Sequence, residues 1–119
     1  MGDIKKILTE RGNQYGDFKD QALIVQRLKK EIIPKIYHNV NEYHYSGAVI
    51  LEGMEMILHK ISRIANGNPF YIDSWRDIAG YAQLVVDMLE DFQKPIKKEN
   101  GNEGDGNEGE ENEDIDEYY

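Results

Sequence analysis

"ISRIANGNPFYIDSWRDIAGYA", residues 61–82, holds the end of one helix and the start of the next. Asn66-Gly67 is the stop signal, because glycine takes the conformations that close a helix at little cost. Asp73 is the start signal, a short side chain able to accept from the free amides of a first turn. Asp77 follows one helical turn later, with Arg76 between them. The pair is either a helix cap plus a surface charge or half of a metal site.

Upstream of Asn66, Ile50, Leu51, Met54, Ile57, Leu58, Ile61, Ile64 and Ala65 recur at helical spacing, with Ser46 as the expected cap. Glu52, Glu55, His59 and Arg63 occupy the opposite face. Downstream of Asp73 a helix is expected to about Gln93, just before Pro95. At 100° per residue its main stripe is Trp75, Ile78, Ala82, Val85, Val86 and Leu89. A narrower one, Tyr81, Leu84 and Met88, flanks Asp77 beside Gly80. A helix apolar on two sides is central in a bundle or sandwiched between subunits. Asp77 is then expected on a packed surface with a cationic or metal partner, and Gly80 at a close approach of another backbone or a ligand.

Nearer the N-terminus, residues 3–10 form a short helix capped by Asp3, and RGNQYG is expected to break it. Asp17 then caps a helix over about 18–33 that carries Phe18, Ala22, Val25, Leu28 and Ile32, and Pro34 is expected to end it. Residues 35–45 show no clean period and read as a loop or a broken turn. The fold expected is an all-α helical bundle of about four helices, dimeric or higher. Residues 1–96 form its one domain, and 97–119 a disordered acidic tail.

That tail concentrates the charge. Residues 100–119 carry nine acids and no base, while residues 1–99 carry fourteen of each, so the net −9 lies entirely beyond the helices. With few apolar residues, the tail cannot offset the entropy of ordering. A neutral body offers no basic face for duplex nucleic acid. There is no cysteine, which excludes disulfides and thiolate metal sites. No apolar run reaches the length of a signal peptide or membrane span, so a cytoplasmic location is expected.

Glu52 and Glu55, spaced i, i+3, project from one helix face, and Asp73 and Asp77, spaced i, i+4, from one face of the next. Two antiparallel helices bearing such pairs offer three or four oxygens to Mg²⁺, a hard cation that favours carboxylates, water and substrate phosphates. Chance acid spacing and a plain cap explain the same residues. Lys60 and Arg63 are the cationic complement, one a compact charge and the other a two-donor grip for phosphate. They serve equally as ion-pair partners of the acids. Tyr15-Gly16-Asp17 is a tight turn into a helix whose N-terminal amides suit an anion. His38, His44 and His59 are too scattered for a zinc site.

Taken together, Tyr15-Gly16-Asp17, Leu58-His-Lys60-Ile-Ser-Arg63 and Asp73-Ser-Trp-Arg-Asp77-Ile-Ala-Gly80-Tyr81-Ala resemble a family of small phage and prophage proteins. That family, of nucleotide-modification-associated or unassigned function, is similar to the all-α MazG-type nucleoside triphosphate pyrophosphohydrolases. The MazG pattern is Glu-Glu-x-x-Glu on one helix and Glu-x-x-Asp on the next; Leu51 and Ser74 stand here where it has acids. The resemblance implies Mg²⁺ held by Glu52, Glu55, Asp77 and Asp73, with Glu52, Glu55 and Asp77 catalytic. Lys60 and Arg63 would hold phosphates, and Tyr15 or Tyr81 would orient the nucleotide as pyrophosphate leaves. Two alternatives are a non-catalytic phage protein that sequesters a nucleotide or a host defence signal, and an acidic interaction protein acting through its tail.

Overall fold

In the structure, a computed structural model, residues 2–93 are described. The expected tail and the boundary after residue 96 lie outside the described residues. Among the described residues four helices follow in order, α1 (Gly2–Tyr15), α2 (Phe18–Tyr37), α3 (Tyr45–Asn66) and α4 (Ile72–Gln93). The all-α reading holds, with corrections at the helix ends.

Gly12 does not break α1. The helix runs through RGNQY and closes at Gly16, whose φ of 81° is left-handed and whose N–H donates to Gly12 O at 2.9 Å. Asp17 caps α2 as expected, accepting from the Lys19 amide at 3.2 Å. Pro34 does not end it. A proline inside a helix loses one ladder bond and crowds the preceding turn, but Ile33 and Ile36 on either side pack into the core and carry the helix on to Tyr37. The cap of α3 is His44 rather than Ser46, since its Nδ1 accepts from the Ser46 amide at 3.1 Å. Gly67 caps the far end, donating to Arg63 O at 3.0 Å. Asp73 lies inside the first turn of α4 rather than before it, where a carboxylate still complements the positive end of the helix dipole.

The helices pack as a layer with α3 in the middle. It contacts α2 on one side and α4 on the other, while among the described residues no Cα of α2 comes within 8 Å of α4. Both contacts are antiparallel. Gln21 meets Ser62 and Lys29 meets Glu55 across α2–α3; Tyr45 meets Phe92 and Lys60 meets Asp77 across α3–α4. Gly53 sets the α3–α4 distance, because a Cβ there would run into the Val85 side chain. Among the described residues the buried hydrophobic ones are Val25, Ile33, Leu51 and Leu58, joined by the hydrogen-bonded pair Gln21–Ser62 at 3.2 Å. α1 buries no residue.

Candidate functional site

The α1–α2 turn and the α3–α4 loop are sewn together beside the C-terminal end of α3. Asn66 Nδ2 donates to the carbonyls of Tyr15 and Asp17, both at 2.9 Å. Asn68 donates through its backbone to Gln14 O at 2.7 Å and through its side chain to Gln14 Oε1 at 3.1 Å. Gly67 lies against the backbone of Gln14 and Tyr15, and Gly16 against Asn66, so neither has room for a side chain. Backbone donors and acceptors that would otherwise be loose loop groups are thereby paired. The result is a rigid platform.

On that platform Tyr15 meets Tyr71 edge to face, with ring centroids 6.0 Å apart. The guanidinium of Arg63 lies over the Tyr15 ring, its carbon 4.1 Å from the centroid. A cation over an aromatic face is attracted by the ring quadrupole, so Arg63 is held in one orientation. Its Nε is buried and finds no acceptor, and among the described residues no carboxylate pairs with it. A buried donor without an acceptor costs about 1–3 kcal/mol. Alongside runs a cleft of about 420 Å³ lined by Ile7, Glu10, Arg11, Gln14, Tyr15 and Tyr71. The Asp73 carboxylate accepts from the Tyr71 phenol and holds its pKa above the ordinary tyrosine value.

Two other cations of the α2–α3 layer are matched. Lys60 reaches Asp77 at 3.0 Å and Lys29 reaches Glu55 at 3.8 Å. His59, one turn before Arg63, has its pKa pushed below 6.5, first by burial and then by the charges of Arg63, Lys60 and Lys29. Burial strips water from the imidazolium and the positive neighbourhood adds to its cost. Of these two causes only the positive neighbourhood favours an anion.

The carboxylates do not converge. Glu52 is exposed, Glu55 faces Lys29, Asp73 sits 3.9 Å from Arg76, and Asp77 is bound to Lys60. Among the described residues no three of His, Asp and Glu are placed to hold a metal ion. The donor set of one chain does not fit Mg²⁺, which needs several oxygens around one point. Leu51 and Ser74, where the MazG pattern has acids, give the reason: both are buried, Leu51 in the core cluster and Ser74 in α4. An acid at either place would be desolvated.

The flank of Asp77 is more open than the sequence suggests. Its side chain is 48% exposed while that of Lys60 is 12% exposed, so the lysine, not the carboxylate, is the enclosed partner. Gly80 has nothing within 4 Å of a built Cβ, and the close approach expected there occurs at Gly53 instead. Tyr81 is partly buried one turn beyond Asp77. Arg11, Gln14 and Tyr71 carry no functional signal in the sequence, where Asn66 reads only as a helix stop. The Asn-Gly-Asn run at 66–68, richer in side-chain amides than a plain helix stop requires, was the visible signal of the platform. Among the described residues no helix is long and apolar enough to cross a membrane. Compared with protein-family models, curated proteins and solved structures, the chain matches none.

Proposed function

We propose that the chain binds a phosphorylated small molecule of the nucleotide class without turning it over. Arg63 grips the phosphate, and Tyr15 and Tyr71 offer aromatic surface to the base. The observation that carries this reading is Arg63, oriented on Tyr15, buried at Nε and, among the described residues, left without a carboxylate when Lys29 and Lys60 have theirs. Guanidinium binds phosphate through two parallel donors, and the neighbouring cleft is of the size that admits one small ligand. Nucleotide sequestration, of a metabolite or a defence signal, follows from such a site. Mg²⁺-dependent hydrolysis would need Glu52, Glu55, Asp73 and Asp77 to converge, and in one chain each is exposed or engaged elsewhere.

Calorimetry against a panel of ribo- and deoxynucleoside triphosphates, with Mg²⁺ and with EDTA, tests it alongside a pyrophosphate assay. The expected result is binding that persists in EDTA, no pyrophosphate, and at least a tenfold loss of affinity in Arg63→Met. Mg²⁺-dependent pyrophosphate release that disappears in Asp77→Asn would replace this reading with the hydrolytic one. Affinity unchanged in Arg63→Met would remove the site itself.

A further inference from the structure

Asn66-Gly67, the dipeptide that locks the platform, also carries a reaction of its own. An asparagine amide is thermolabile, and a following glycine has no side chain to shield the backbone nitrogen that attacks it. Gly67 N gives up its proton and bonds to Asn66 Cγ, the Cγ–Nδ2 bond breaks, and Nδ2 leaves with that proton as ammonia. Water then opens the five-membered imide at either carbonyl, which leaves aspartate or isoaspartate. Water enters and ammonia departs, with no other reactant.

The fold opposes each requirement of that reaction. Both N–H groups of the Asn66 amide are used, on the carbonyls of Tyr15 and Asp17, each at 2.9 Å, so Cγ is not free to swing. The Gly67 N–H is held on Arg63 O at 3.0 Å, where the nitrogen keeps its proton. Closing a flat ring through Asn66 also requires it to leave the helical dihedrals it holds as the last residue of α3. The reaction therefore waits on a local opening in which the α1–α2 turn and the α3–α4 loop part.

The product does not fit back. A carboxylate at position 66 has no proton to give the two carbonyls, and it stands at the negative end of the α3 dipole. Isoaspartate lengthens the backbone by one carbon where Gly67 lies against Gln14 and Tyr15 without room for a Cβ. A partner for the new charge is one turn back on α3, at a spacing where side chains meet. It is Arg63, which has no carboxylate among the described residues.

We infer that Asn66-Gly67 is a modification site that the fold keeps closed, and that its deamidation shuts the Arg63 site by giving the guanidinium an internal carboxylate. The effect on ligand rests on the nucleotide-binding reading above; the chemistry and its protection do not.

The full chain is aged in mildly alkaline buffer and in guanidinium chloride, and deamidation is followed by peptide mass spectrometry. Asn66 is expected to react at least tenfold more slowly in buffer than in denaturant, where its rate matches that of Asn100-Gly101, the other Asn-Gly pair of the sequence. Equal rates at Asn66 in the two media overturn the inference. This comparison uses the unmodified chain and stands even if a variant does not fold. Asn66→Asp copies the aspartate product, while Asn66→Ala loses the same hydrogen bonds without adding charge. Relative to Asn66→Ala, the His59 ring in Asn66→Asp is expected to titrate at higher pH, since Arg63 is one of the charges that hold its pKa down. Nucleoside triphosphate affinity is expected to be at least tenfold lower in Asn66→Asp than in Asn66→Ala. The same His59 titration in both variants overturns the quenching of Arg63, as does equal affinity. If the unmodified chain binds no nucleotide while the rates and the His59 shift are as expected, the nucleotide reading fails and the modification site stands.

Discussion

Arg63 and His59, one helical turn apart, respond to the same field in opposite ways. Arg63 remains charged and is held by an aromatic ring; His59 is kept from charging by burial and by Arg63, Lys60 and Lys29. The sign of the pH effect follows. The unfolded chain takes up the imidazole proton near 6.5, whereas the folded chain takes it up only at lower pH, so folding loses stability as pH falls from 6.5 toward that lower value. Above 6.5 the penalty is absent. Urea unfolding of the parent chain and of His59→Gln on either side of that pH is expected to show a slope in the parent that the variant lacks. An equal slope in both would show that His59 is not its source. A phosphate bound against Arg63 adds negative charge nearby and moves the His59 titration back upward, an effect visible in the ring resonances. Asp77 belongs to this scale too: bound to the enclosed Lys60 but half exposed, it is worth no more than about 1 kcal/mol to the fold.

At the scale of elements, three glycines have different roles. Gly16 closes α1 in the left-handed region and has Asn66 against it. Gly53 lets α4 approach through Val85, and Gly80 faces open space. Thermal or chemical denaturation is expected to rank the alanine variants accordingly. Gly80→Ala gains up to about 1 kcal/mol from helix propensity; Gly53→Ala is destabilised by crowding, by about 1–3 kcal/mol. Gly16→Ala is destabilised by backbone strain of about 1–2 kcal/mol plus the clash with Asn66. A destabilised Gly80→Ala would mean that something does approach that surface. The sequence marked α3 and α4 well because stripe and stop signal agree there. It marked RGNQYG and Pro34 as breaks; α1 runs through the first five residues of that segment to close at Gly16, and Pro34 lies inside α2. Tertiary contacts outweigh a local penalty of a few kcal/mol, as Ile33 and Ile36 do around Pro34.

Over the whole molecule, charge and shape are separated. The nine acids of residues 100–119 account for the net charge, and the helical body before them is neutral. Removing residues 100–119 is therefore expected to leave helical content and nucleotide affinity unchanged within about twofold while solubility near neutral pH falls, since net charge is what keeps chains apart. Affinity lost with that segment would shift the function to the acidic residues and away from Arg63. The layer of helices has one face carrying Arg63, His59 and the paired acids and another lined by the α3 and α4 stripes. A layer one helix deep encloses little, so more of its apolar surface remains for a partner than in a closed bundle.

The sequence by itself determined what each helix would be: its periodicity, the caps at Asp17 and Gly67, and the placing of Glu52, Glu55, Lys60, Arg63, Asp73 and Asp77 on particular turns. These depend on contacts a few residues apart, which local spacing records. Only the tertiary structure decided which of those side chains meet. It joined Tyr15 to Arg63 and Tyr71, gave Lys60 to Asp77 and Lys29 to Glu55, and turned Leu51 and Ser74 into the protein where acids would have faced a metal. Such pairings depend on the rotation of each helix about its axis against its neighbours. That rotation is fixed by packing across the interfaces, as Gly53 against Val85 and Gln21 against Ser62 fix α3.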